Sequence, residues 1–334
     1  MSRAHPLNLY AQRLGTWEAS FYFAWKDGLT MDDRMSGVFN IMATPFDEDL
    51  QLDLEGLEHL VEFQIDKGVH GLTILGVLGE AAKLTTMERK LAMDIIMRAV
   101  DGRVPVVVGT SHPDTSECIA LSQAAFASGA SAVMIAPPRM ENPSDEALFA
   151  LYGRIADKIW QPIVVQDFPP VNGVFMSADF LAELAERIPN ARHLKLEDPP
   201  LMEKISAIRR RTDRYAIFGG LGGMFFLEEL KRGCSGTMTG FAFTEVLVSV
   251  FRSFNERRWT EAEHIFDLYL PLIRFENQPV INLSIRKELL KRRNAIRNAA
   301  LRAPFTPIDA GTQEEIAWVL QRVGIKDPTQ KLLP

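Results

Sequence analysis

The chain has 334 residues, 47% of them hydrophobic, and a formal net charge of -6. No basic surplus points to nucleic acid, and no apolar run is long enough for a signal sequence or a membrane span. Two cysteines, Cys118 and Cys234, stand far apart without metal-ligand spacing. They read as free thiols of a reducing, cytoplasmic compartment and not as part of a metal centre.

Residues 1–35 carry Trp17, Phe21, Tyr22, Phe23 and Trp25 but no cleavage-site pattern. They read as a packing arm or as an over-extended start, since Met31 and Met35 both precede the first strand. From residue 36 onwards, eight short apolar runs alternate with amphipathic stretches: 38–43, 72–75, 104–109, 132–136, 163–168, 193–196, 216–219 and 236–240. Asp114 and Ser144 stand where helix N-caps belong. Lys67-Gly68, Ser128-Gly129 and Arg232-Gly233 supply the glycine that closes a helix. Strict alternation of strand and helix gives a parallel sheet, and eight units without a dinucleotide fingerprint favour a closed (β/α)8 TIM barrel over residues 36–255. Beyond residue 256 the pattern is helical only, over 260–270, 281–299 and 313–323, and predicts a C-terminal helical appendage over 256–334. Its basic run, Arg286-Lys287 through Lys291-Arg292-Arg293 and Arg297, reads as a solvated amphipathic face. Phe225 and Phe226 read as core.

The sixth run, His193-Leu194-Lys195-Leu196-Glu197, places a lysine between a histidine and a glutamate on one strand face and two leucines on the other. A lysine aimed into a barrel is costly to bury unless paired or neutral. Desolvation favours the neutral amine, the form that attacks a carbonyl to make a Schiff base. The competing readings are a solvated lysine at a strand end and a structural ion pair of Lys195 with Glu197.

Several motifs in order carry a resemblance across roughly residues 36–325: Thr44-Pro45-Phe46 after the first strand, Gly76-Val77-Leu78-Gly79-Glu80 after the second, Val106-Val107-Val108-Gly109-Thr110 on the third, and Lys195 on the sixth. The chain resembles the dihydrodipicolinate synthase and N-acetylneuraminate lyase family of class I aldolases and dehydratases. That resemblance implies a cytoplasmic homo-oligomer, a tetramer or dimer, that condenses Lys195 with the keto group of a small 2-keto acid and needs no metal or organic cofactor. It also implies substrate contacts at Thr44, Gly76, Val77, Leu78, Gly220 and Thr239. The glycine motif has a physical purpose of its own, because glycines bring backbone amides close to an anion. The amides of Val77 and Leu78 would receive the carboxylate, with Glu80 shaping the loop. The glycines of Gly219-Gly220-Leu221-Gly222-Gly223 suit close backbone approach to the substrate, or tight packing, better than phosphate binding, since no lysine or arginine adjoins them.

Departures from the family pattern narrow the chemistry. The second-strand hydroxyls of the lysine-pathway synthase are replaced by Val77 and Leu78, and Gln166 stands where that enzyme has a proton-donating tyrosine. An amide donates a hydrogen bond but is no proton donor at neutral pH. No arginine follows Pro169-Pro170. Val165-Gln166-Asp167-Phe168-Pro169 and Thr110-Ser111-His112 are instead similar to the branch typified by L-2-keto-3-deoxyarabonate dehydratase, although the second-strand loop differs. A Schiff-base lyase for a 2-keto or 2-keto-3-deoxy sugar acid is the expectation; a dihydrodipicolinate synthase and a catalytically weak keto-acid-binding barrel are the alternatives. Of the titratable groups expected at the mouth, His112, Asp167, Glu197 and Asp198, the histidine is expected to carry protons because its ordinary pKa lies near neutrality. The competing reading is that it caps the third helix.

Overall fold

The computed structural model describes residues 35–332, so the expected N-terminal arm lies outside the described residues. The eight strands are β1 Gly37–Ile41, β2 Gly71–Ile74, β3 Val106–Gly109, β4 Ala132–Ile135, β5 Ile163–Asp167, β6 His193–Leu196, β7 Ala216–Gly219 and β8 Gly236–Thr239. All pair in parallel in chain order, and β8 returns to β1, so the barrel closes. Each falls within, or within one residue of, a predicted apolar run.

The intervening helices are α1 Leu54–Asp66, α2 Thr86–Val100, α3 Thr115–Ala127, α4 Asp145–Ala156, α5 Ala178–Arg187, α6 Leu201–Arg209, α7 Phe226–Lys231 and α8 Thr244–Asn255. Their ends follow the cap chemistry. Asp114 Oδ1 accepts from the Ser116 amide and Ser144 Oγ from the Ala147 amide, satisfying donors the first helical turn leaves over. Gly68, Gly129 and Gly233 take the left-handed conformation directly after their helices, which lacks the Cβ penalty only in glycine.

Register divides every strand into two faces, because in-register residues of parallel strands point the same way. Gln166 pairs with Lys195 and Lys195 with Phe218, while Val164 pairs with His193. These side chains fill the lumen, where the rings of Phe39 and Phe218 meet edge to face at 5.4 Å. The alternate residues, among them Val165, Leu194, Leu196 and Ile217, join the apolar layer between strands and helices. The lumen is therefore packed with side chains, and only the strand ends are free for chemistry.

The appendage comprises α9 Trp259–Glu276, α10 Asn282–Arg292 and α11 Ala310–Arg322, in one unit with the barrel. The third helix begins three residues before its expected start, and two boundaries differ by more. The first helix runs on through Pro271, whose missing N–H removes one helical bond. The second stops at Arg292 because Asn294 adopts a left-handed backbone. A larger correction concerns the basic run. Arg286, Lys287 and Arg293 are not solvated but buried, paired with Glu276, Glu80 and Glu245 respectively. Lys291 and Arg297 alone of that run are exposed. Phe226 is core as expected, whereas Phe225 is exposed.

Candidate active site at the C-terminal mouth of the barrel

Lys195 lies near the end of β6 with its side chain in the lumen and almost wholly buried. Its Nζ stands 3.0 Å from Glu197 Oε2. The β6 ladder continues one bond past the strand, with the Glu197 amide donating to the Asp167 carbonyl at 2.9 Å, so period-two alternation returns Glu197 to the lysine's face. Gln166, beside Lys195 on β5, donates its Nε2 to the same Glu197 oxygen at 2.8 Å. One carboxylate oxygen thus joins the amine and the amide in a largely buried site. Burying this carboxylate and ammonium is affordable because each has its partner in place.

Gly220 follows β7 and covers the pair. A Cβ built there would lie 2.5 Å from Glu197 Cγ and 2.7 Å from Lys195 Cε, so any other residue would push these two side chains aside. Of the two expectations for this loop, it is the tight packing that is seen, against the lysine and glutamate themselves.

After β2, residues Val77–Gly79 form a single 3₁₀ turn. The amides of Gly79 and Ala81 donate to the Gly76 carbonyl and that of Glu80 to the Val77 carbonyl. The amides of Val77 and Leu78 open the turn and are not consumed by it, as at any helix start. Thr44 donates its hydroxyl to the Gly79 carbonyl at 2.6 Å, which ties the first loop to the second. Thr239 pairs with Asn40 in register, and Asn40 reaches out of the lumen to Thr244 on α8. The register thus turns the Thr239 side chain toward the helices and leaves its backbone at the mouth.

His112 is half-buried ahead of α3. Its Nδ1 accepts from the Asp114 amide at 3.1 Å, the geometry of a loop cap. No hydrogen bond or ion pair links it to Lys195 or Gln166. Asp167 faces outward from β5 and meets Lys204 Nζ at 2.5 Å, while Asp198 meets the same ammonium at 2.7 Å. Burial nevertheless raises the Asp167 carboxyl to about 6 against the opposing pull of Lys204. Among the described residues the ion pair of Lys195 is with Glu197 and not with either aspartate. The Lys204 bridge escaped the sequence reading because its partners come from two strand ends and no local spacing announces it.

Glu229, on α7, was also missed. Its carboxyl is buried against the backbone of Gly219, in the space a side chain there would take. Burial, then the neighbouring charges of Glu228 and Glu197, raise it to about 8. A carboxyl that keeps its proton in the fold but loses it above about 4.3 when unfolded makes the fold less stable as pH rises from that value to about 8. Glu229→Gln removes the ionisation, so its melting temperature should fall less than the wild type's between pH 5 and pH 8.5. Parallel melting curves for the two proteins would discount this role.

A closed (β/α)8 barrel with a lysine, a glutamate and a glutamine joined at its C-terminal mouth is the architecture of a barrel enzyme. The sequence model of the Dihydrodipicolinate synthetase family matches residues 34–323, and the chain belongs to that family. It is, with that family, a lyase. It is 32% identical to L-2-keto-3-deoxyarabonate dehydratase of Azospirillum brasilense, over 87% of this chain and 95% of that protein. It is 27% identical to 4-hydroxy-tetrahydrodipicolinate synthase of Fervidobacterium nodosum, over 87% and 99% respectively. Among solved structures, dihydrodipicolinate synthase from Rhodopseudomonas palustris superposes with a TM-score of 0.82 at 32% identity, covering 86% of this chain and 97% of that one. Among the described residues no helix is long and apolar enough to cross a membrane, and no group of three or more metal-ligating side chains is present.

Proposed function

We propose that the chain is a Schiff-base dehydratase acting on a 2-keto-3-deoxy sugar acid, with Lys195 as nucleophile and Glu197 as the proton carrier beside it. The contact of Lys195 Nζ with Glu197 Oε2 carries this reading. Glu197 takes a proton from the ammonium, the free amine attacks the C2 keto carbon, and Glu197 returns that proton to the resulting hydroxyl, which leaves as water to give a protonated imine and a free carboxylate. C3 is two bonds from that nitrogen, so a carboxylate in contact with the nitrogen reaches a C3 hydrogen. Removing it gives an enamine; Glu197 passes the same proton to the C4 oxygen, which leaves as water, and hydrolysis of the remaining imine by a second water frees the product and the Lys195 amine. Gln166, bonded to the same oxygen, holds the carboxylate in place and moves no proton itself. The substrate carboxylate is received by the amides of Val77 and Leu78.

Aldol cleavage is the second reading, and it needs a base at the C4 hydroxyl instead of at C3. Synthesis of the lysine-pathway product is disfavoured by the lack of an arginine after Pro170. Incubation with a panel of 2-keto-3-deoxy acids, followed by mass spectrometry, separates these outcomes: loss of one water supports the proposal, and release of pyruvate with an aldehyde replaces it by an aldolase. Assembly into a dimer or tetramer is proposed alongside and is read by sedimentation.

Gly220→Ala is expected to leave a folded barrel whose rate of pyruvate labelling under borohydride falls by about 100-fold, because a displacement of about 1 Å at reacting groups costs that much. Labelling at the wild-type rate would show that the pair tolerates the added methyl and that its spacing does not matter.

A further inference from the structure

We infer that Lys287, on α10 of the appendage, is a positioning residue for the turn Val77–Gly79, holding through Glu80 the amides that receive the substrate carboxylate. The inference rests on the proposed role of that turn. Glu80 closes the turn in a left-handed backbone conformation, φ 54°, which is unusual for a residue with a side chain. Its carboxylate explains how it is kept there. Oε2 accepts from Lys287 Nζ at 2.5 Å, and Oε1 accepts from Lys83 Nζ at 3.1 Å and from the Arg302 amide at 3.2 Å. Lys287 is completely buried, and its remaining contacts are the Ala300 carbonyl at 2.7 Å and the face of the Phe46 ring at 4.5 Å. On its other side the turn is held by Thr44 through the Gly79 carbonyl.

Three pieces of chain distant in sequence therefore meet at one residue: the loop after β1, the turn after β2, and the segment following α10. A buried ion pair is a weak source of stability, because desolvating the charges offsets most of their attraction, and an apolar pair would do as well. What this pair does supply is direction. Glu80 is drawn away from the lumen toward the appendage, and the backbone ahead of it, with the Val77 and Leu78 amides, is fixed as a consequence. Burial lowers the Lys287 ammonium to about 8, against the opposing influence of Glu80, so the lysine keeps its proton at neutral pH.

The test uses the full chain with Lys287→Met, and with Glu80→Gln/Lys287→Met, which leaves no unpaired buried charge should the single variant fail to fold. Pyruvate and borohydride labelling is measured against pyruvate concentration. Half-saturation is expected to rise about tenfold in the folded variants, the loss of one charge-assisted hydrogen bond, with the labelling rate at saturation nearly unchanged. A wild-type half-saturation, or an equal loss at every concentration, would overturn the inference. Hydrogen–deuterium exchange over 76–84 reads the clamp without any keto acid. Faster exchange there supports it and unchanged exchange refutes it, even if wild-type protein takes no pyruvate label, a result that would count against the proposed function alone.

Discussion

Lys195→Ala should abolish the covalent adduct formed with a 2-keto acid under borohydride and lower turnover by at least about 1000-fold, since removing the nucleophile of a covalent mechanism leaves only binding and electrostatics. The lumen supports this expectation by construction. Among the described residues, Lys195 is the lysine whose Nζ meets a lumen carboxylate, whereas Lys204 and Lys287 are committed to Asp167 and Glu80 outside it. Peptide mapping that finds the label on another lysine, or full labelling of the alanine variant, would reject Lys195 as nucleophile.

Glu197→Gln should still permit a slow imine but reduce the step after it by about 100-fold to 10,000-fold, the usual contribution of a positioned acid or base. The amide keeps the shape and the contact with Gln166 yet accepts no proton. His112→Asn is the informative companion. If the Asp114 contact defines the role of His112, its replacement lowers thermal stability slightly and spares single-turnover chemistry. If His112 carries protons as the sequence suggested, the losses exchange places, and the glutamate is reduced to a holder of the lysine.

The barrel was legible because an apolar run recurs in every unit, while capping residues at Asp114 and Ser144 and closing glycines at Gly68, Gly129 and Gly233 mark some of the helices between them. Lys195 and Glu197 were legible as face-mates two apart on a strand, and that spacing alone contained the contact later found at 3.0 Å. His112 drew attention through its ordinary acidity, a property of the residue type that says nothing about where the ring points. The burial of Arg286, Lys287 and Arg293 was hidden for a related reason. Their acidic partners lie at distant positions, Glu276, Glu80 and Glu245, and a basic run without visible partners reads as solvated. Gly220 was singled out as a place of close approach, but what approaches it comes from another strand.

The ion pair between Glu80 and Lys287 also bears on the order in which a nascent chain becomes useful. Synthesis proceeds from the N-terminus, and domains fold as their residues emerge. When α8 has left the ribosome every strand exists, and the lysine and glutamate of the lumen can already meet. The buried cation that engages Glu80 has not yet been made, nor has the Arg302 amide. A closed cylinder that still lacks these contacts to Glu80 therefore precedes α10, and on the proposed role of the turn the helices translated after the barrel complete the site instead of merely decorating it.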